Sequence, residues 1–173
     1  NSIRVVDSFT TAKRLYMAPD MNLARYTARH TDKEILYWQG YCPIHQGLTA
    51  EQVRERKAQH PDALFIAHPE CRPEVLDLAD LVQSTSGMIR FVQQSAHTSF
   101  IIGTEEGILH PLHRQNPHKR FYPASDHLVC PDMKKTSLED VRQSLTTLTP
   151  RITVPEEIRV RALVAVQRML DLG

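Results

Sequence analysis

Two stretches of this chain set proton-transfer groups close to an anion cradle. His68-Pro69-Glu70-Cys71-Arg72-Pro73 offers an imidazole and a carboxylate two residues apart, directly after the apolar run Ala63-Leu64-Phe65-Ile66-Ala67. Such a run reads as a short strand buried in a parallel sheet. The pair is then delivered at a strand's carboxyl end, where open α/β sheets bind their ligands. Ser84-Thr85-Ser86-Gly87-Met88-Ile89 follows Leu81-Val82-Gln83 and puts three hydroxyls and a glycine at a helix start. Unpaired backbone N–H groups there favour an anion, although helix capping alone uses the same hydroxyls. His68 and Glu70 are the candidate catalytic pair, and Ser84 and Thr85 the candidate anion binders. Together they suggest an enzyme.

Cysteine supplies the second kind of chemistry. Cys42, Cys71 and Cys130 are odd in number and contain no C-x-x-C pair, a poor basis for disulfides or for a local zinc knuckle. They suit a reducing compartment, in which a cysteine is inert core or a metal ligand. Gly40-Tyr41-Cys42-Pro43 and Leu128-Val129-Cys130-Pro131 share a layout. In each, the cysteine follows a strand, precedes a proline and is succeeded by a capped helix. This is a weak internal repeat, and two such loop cysteines could converge on one centre. Either could equally be buried and inert. The other histidines, His45, His110, His113, His118 and His127 among them, show no consistent ligand spacing. Pro111 disfavours a helical pairing of His110 with His113. Most should lie at the surface, with His45 near the Cys42 loop.

The elements that must position these groups alternate along the chain. Strands are expected at 13–18, 34–38, 63–68, 81–84, 99–103, 119–122 and 151–154. Helices are expected at 2–9, 22–29, 49–59, 73–79, 86–95, 104–114, 137–147 and 156–172. Thr49-Ala50-Glu51-Gln52 reads as a capping box, and Pro73 and Pro155 as N1 prolines. The last helix places Ile158, Ala162, Ala165, Val166, Met169 and Leu172 on one stripe that something must cover. Strand–helix alternation of this kind implies an α/β fold with parallel sheets.

The bulk numbers narrow the partners. At 173 residues the chain makes one ordinary domain or two small ones. A formal net charge of +1 without a Lys/Arg tract argues against a nucleic-acid surface. No run of about 18 apolar residues offers a membrane span, and no leader suggests secretion. A cytoplasmic location is therefore expected. The chain opens on Asn1 with a helix that a strand should precede, so it is expected to be part of a longer protein.

Seven stretches, in order over almost the whole chain, resemble one family. They are Ala18-Pro19-Asp20-Met21-Asn22-Leu23, Trp38-Gln39-Gly40-Tyr41-Cys42-Pro43-Ile44-His45, His68-Pro69-Glu70-Cys71, Ala79-Asp80, Ser84-Thr85-Ser86-Gly87-Met88-Ile89, Gly103-Thr104-Glu105-Glu106-Gly107 and Cys130-Pro131-Asp132-Met133-Lys134. The chain resembles the second half of quinolinate synthase, the A protein of bacterial and archaeal NAD biosynthesis. The resemblance implies three αβα, Rossmann-like domains with short parallel sheets around a pseudo-threefold axis. Each would give one cysteine to a 4Fe–4S cluster whose fourth iron stays open to substrate. The reaction implied condenses iminoaspartate with dihydroxyacetone phosphate to quinolinate, releasing phosphate and water, with L-aspartate oxidase as the source of iminoaspartate.

Carried onto this sequence, the resemblance makes Cys42 and Cys130 the second and third cluster ligands. It makes His68 and Glu70 catalytic, and His68, Pro69, Glu70, Ser84 and Thr85 substrate-binding. Residues 1–42 would be the remainder of the second domain and 43–130 the third. Residues 131–173 would form an extension that packs on a first domain this chain lacks. The third cluster cysteine would be absent with that domain, and the chain alone inactive. Cys71 matches no ligand and reads as structural. Thr104 and Glu105 read as supporting residues near the cluster, since Glu105 would repel an anion. Glu70, in a partly dry site, is expected to have its pKa raised toward neutrality. Two other readings stand beside this one. One is a non-catalytic iron–sulfur or metal-binding redox sensor using all three cysteines, and the other a plain carboxylate-binding domain.

Overall fold

The structure, a computed structural model, describes residues 2–172. From the amino terminus the elements are α1 (Ser2–Ser8), β1 (Arg14–Met17), α2 (Met21–Ala28), β2 (Glu34–Tyr37), α3 (Pro43–Gly47) and α4 (Ala50–Gln59). There follow β3 (Leu64–Ala67), α5 (Pro73–Leu76), β4 (Leu81–Val82), α6 (Thr85–Gln94) and β5 (Ser99–Gly103). A 3-10 turn (Glu106–Ile108), α7 (Leu109–Gln115), β6 (Arg120–Pro123), α8 (Leu138–Thr147) and α9 (Glu156–Asp171) complete the chain. The fold is α/β with short parallel sheets. It divides into two compact units: Ala12–Val129, and the segments before and after it.

Within Ala12–Val129, β1 pairs in parallel with β2, and the other four strands form a parallel sheet in the order β4-β3-β5-β6. Each residue of β5 is buried, as are the last three of β3, because helices cover both faces. Phe65, Ala67 and Ile101 point to one side and pack with Val53, Val75 and Leu128. Ile66, Phe100 and Ile102 point to the other and pack with Met88, Val92 and Leu112. Period-two alternation thus feeds two cores, one under α4 and α5, the other under α6 and α7.

Several helix ends form as their residues require. Thr49 and Gln52 make the reciprocal capping box of α4, and Ser84 accepts a hydrogen bond from the Gly87 N–H at the start of α6. Pro73 occupies the first turn of α5. Other expectations need correction. Residues 151–154 form no strand, and Pro155 caps α9 from outside its first turn. The expected helix over 104–114 is broken: Thr104 and Glu105 stay extended or irregular, and α7 begins only at Leu109. Pro111 falls in the first turn of α7, where its missing N–H is not needed, so His110 and His113 share a helix after all. The short α3 has no counterpart in the sequence reading. Pro43 at its first position is the signal that was available.

In the other unit, α1 lies against the carboxyl end of α9, with Val5, Phe9, Met169 and Leu172 around a cavity. Val6 is buried. Apolar side chains are exposed all round α9, Val160, Leu163, Val164 and Leu170 besides the expected Ile158, Val166 and Met169. Its apolar surface is wider than a single stripe.

The pairing of β3 with β5 depends on a missing side chain. Gly103 is the partner of Ala67, and a Cβ there would stand 2.8 Å from the buried Phe65 ring and 3.3 Å from the Ala67 Cα. Gly103→Ala is expected to destabilise the protein by about 1–3 kcal/mol through overpacking, read as a lowered urea midpoint at unchanged m-value.

Candidate active site

The sheet order creates the site. After β3 the chain crosses to β4 on one side and then to β5 on the other, which makes the carboxyl ends of β3 and β5 a topological switch point where a crevice opens. The loop leaving β3 carries His68 and Glu70; the residue leaving β5 is Thr104. The Gly103 carbonyl ties the two ends together, accepting from the His68 N–H at 3.0 Å and from the Cys71 thiol at 3.4 Å. Cys71 N–H in turn donates to the His68 carbonyl at 2.9 Å, which closes the loop into a tight turn.

The loop leaving β2 brings Cys42 and α3 to the same place. Asp20, itself buried, splits its carboxylate between two jobs: Oδ1 caps α2 at the Leu23 N–H, and Oδ2 accepts from the Cys42 N–H at 2.9 Å. Asn22 Nδ2 donates to Gln46 Oε1 at 2.8 Å and to the Glu70 carbonyl at 3.1 Å. Asp20 therefore ties the Cys42 loop to α2, and Asn22 ties both α3 and the Glu70 loop to it.

His45 stands at the centre. It is 7% exposed, with Nε2 2.9 Å from Thr104 Oγ1 and its ring stacked on His68 at 4.5 Å between centroids. Nδ1 lies 3.0 Å from Glu70 Oε2, though off the line of a regular hydrogen bond. His68 Nδ1 is 3.8 Å from the same oxygen. Among the described residues, Cys42, His45 and Glu70 have donor atoms within 4.8 Å of one another, a thiol, imidazole and carboxylate set suited to a transition metal.

The electrostatics correct one expectation. Glu70 is not raised toward neutrality; its interaction with His45 outweighs burial and holds it below the usual carboxylate range. It is a carboxylate at neutral pH, ready to accept a proton rather than give one. Burial, reinforced by the charge of His45, drops His68 to about 4, so its imidazole is neutral. Burial pushes the Cys71 thiol up to about 12, and the thiol is committed to the Gly103 carbonyl.

The structure thus brings together Cys42, His68, Pro69 and Glu70. Ser84 and Thr85 are exposed at the start of α6, after the strand that flanks β3. Cys130 is partly exposed and belongs to the other compact unit. His110, His113, His118 and His127 are exposed, as expected. Glu105 is buried and accepts from the Gly107 N–H at 2.7 Å. Sequence reasoning missed Asp20 and Asn22 as structural ties and gave His45 and Thr104 only a vague place. The Asp-x-Asn spacing after a strand, a helix N-cap, was the usable signal for the first pair.

Comparison with known proteins decides the family. Residues 1–171 match the family model described as Quinolinate synthetase A protein. The chain belongs to that family. It is 54% identical to the quinolinate synthase of Methanoregula boonei over 99% of this chain and 57% of that protein. It is 49% identical to that of Desulforudis audaxviator, over 99% and 57%, and 52% identical to that of Geotalea uraniireducens, over 99% and 56%. The chain therefore spans a little over half the length of these curated relatives. Among the described residues no helix is long and apolar enough to cross a membrane.

The three thiols differ enough for a direct test. Alkylation of the metal-free protein with iodoacetamide at pH 8 is expected to label Cys42 and Cys130 in the native state. Cys71 should react only after denaturation, because thiolate fraction and access set the rate. Native labelling of Cys71 at a comparable rate contradicts its buried placement.

Proposed function

We propose that this chain supplies much of the active site of a quinolinate synthase, condensing iminoaspartate with dihydroxyacetone phosphate to quinolinate, with loss of phosphate and water, in NAD biosynthesis. The observation that carries the reading is the ionised Glu70, held between His45 and His68 at the sheet's switch point, beside Cys42. In the whole protein, 1–42 completes a second αβα domain, 43–130 forms a third, and 131–173 is an extension against the first. The four-stranded sheet falls inside 43–130, which supports that division. The exposed apolar side chains of α9 support a covered position for the extension. The proposed setting is cytoplasmic, with L-aspartate oxidase supplying iminoaspartate.

Glu70 Oε2 accepts a proton during the condensation, which a group ionised at neutral pH does without prior deprotonation. Neutral His68 hydrogen-bonds substrate through its imidazole. Pro69 stiffens the turn between them. The Ser84 hydroxyl, which accepts from Gly87 N–H, keeps its own proton to donate to a substrate carboxylate or phosphate. The Thr85 hydroxyl and the first N–H groups of α6 add to that cradle. Cys42 and Cys130 are partly exposed thiols, which fits ligands of a 4Fe–4S cluster completed by a cysteine elsewhere in the whole protein. That cluster would supply an open Lewis-acidic iron. Cys71 does not fit that role: it is buried, bonded to a carbonyl and high in pKa. This favours the enzyme over a three-thiol sensor.

The test uses the whole protein, anaerobically reconstituted. Cys42→Ala and Cys130→Ala are expected to lose both the cluster absorbance and quinolinate formation. Glu70→Gln should keep the cluster while lowering kcat about 10²- to 10⁴-fold, the range for a lost general base. Cys71→Ala should keep cluster and most activity. An intact cluster in Cys42→Ala, or a fully active Glu70→Gln, overturns the proposal.

A further inference from the structure

We propose that Asp20 is a positioning residue for the Cys42 cluster ligand: one oxygen of its carboxylate serves the fold, and the other fixes the backbone that aims the thiolate. The inference rests on reading Cys42 as a ligand. A helix N-cap needs one acceptor oxygen and ordinarily keeps the rest of its side chain in water. Asp20 is only 6% exposed. Its Oδ1 accepts from the Leu23 N–H at 2.8 Å and completes the cap of α2. Burying the second oxygen without a partner would be costly, and Oδ2 accepts from the Cys42 N–H at 2.9 Å.

Cys42 is built to depend on that contact. It stands extended (φ −74°, ψ 119°) just before α3, and its thiol makes no capping bond there. Pro43 follows and holds Cys42 to the extended region, which restricts ψ. The peptide plane before Cys42 is the freedom that remains, and the Asp20 carboxylate sets it by holding the N–H. Proline and carboxylate together fix the direction in which Cβ and Sγ leave the chain. The neighbouring backbone closes on the start of α2 as well. The Met21 N–H donates to the Gly40 carbonyl at 2.8 Å, and a Cβ on Gly40 would stand 2.5 Å from the Pro19 carbonyl oxygen. Of these ties, the one from Asp20 reaches the ligand residue itself. Burial dominates the pKa of His68 and of Cys71, but the charge of Asp20 acts on both, so its field extends into the crevice.

The experiment follows loss of cluster absorbance to an iron chelator in the whole, anaerobically reconstituted protein, with the cluster's reduction potential as second readout. Asp20→Ser keeps a hydroxyl that can cap α2 but is too short to reach Cys42. It is expected to lose its cluster about 10- to 100-fold faster than wild type, the usual effect of removing a partner that orients a metal ligand. Thr49→Ala removes the capping box of α4 instead. It should lower the urea midpoint of the metal-free protein about as much as Asp20→Ser does, with cluster loss within about twofold of wild type. Asp20→Asn keeps the side chain's shape and one acceptor but not its charge. Its potential should be more positive than wild type, because charge around the cluster helps to set it.

Wild-type cluster retention in Asp20→Ser, an equal loss in Thr49→Ala, or an unchanged potential in Asp20→Asn overturns the inference. Where Asp20→Ser does not fold, the potential of Asp20→Asn decides. A Cys42→Ala protein that keeps its cluster instead overturns the reading of Cys42 as a ligand. A cluster-free Cys42→Ala beside normal Asp20 variants overturns only the role of Asp20.

Discussion

The register between β3 and β5 is the constraint on which the site depends. Ala67 opposite Gly103 sets Gly103's carbonyl where it can receive both the His68 N–H and the Cys71 thiol. One residue further along each strand, the chain leaves the sheet, and the first side chains beyond it are His68 and Thr104. A slip of one residue would turn these side chains to the opposite faces. The bare Cα of Gly103 lets Phe65 pack across the pairing, so core packing and site geometry share one atom's worth of space.

The carboxylate in the crevice is contacted by two imidazoles at close range. The His45 interaction lowers the Glu70 pKa and outweighs the burial that would raise it. The same burial makes His68 a neutral neighbour. Cys71, the residue after Glu70 on the same loop, is raised chiefly by burial, and its thiol stays protonated. Burial thus acts on three neighbouring groups with different outcomes, and the difference lies in the kind of group and in which partners each one touches.

In the unit that contains α8 and α9, the balance runs the other way. Ion pairs such as Arg142–Glu139 and Arg159–Glu156 decorate the helices, yet exposed pairs of this kind add little stability. Large apolar side chains remain in water around them. Apolar side chains spread this widely over one helix lower the free energy when they are taken out of water.

Most of the elements could be read from the residues, because buried parallel strands and capped helices carry short-range signals. β3, β5, the capping box at Thr49 and the cap at Ser84 are local consequences of composition and hydrogen-bonding type. His68, Glu70 and Cys42 were legible as candidate chemistry for the same reason. The sign of the Glu70 shift was not, since it depends on a histidine far away in the chain. Nor was α3, too short to be stable by its own propensity and formed because Ile44 packs on the core and His45 fills the crevice. Sequence alone determined which groups stand at the ends of which strands. Only tertiary structure decided that three of those ends meet, because strand order is set by long-range pairing and not by any neighbour in the chain.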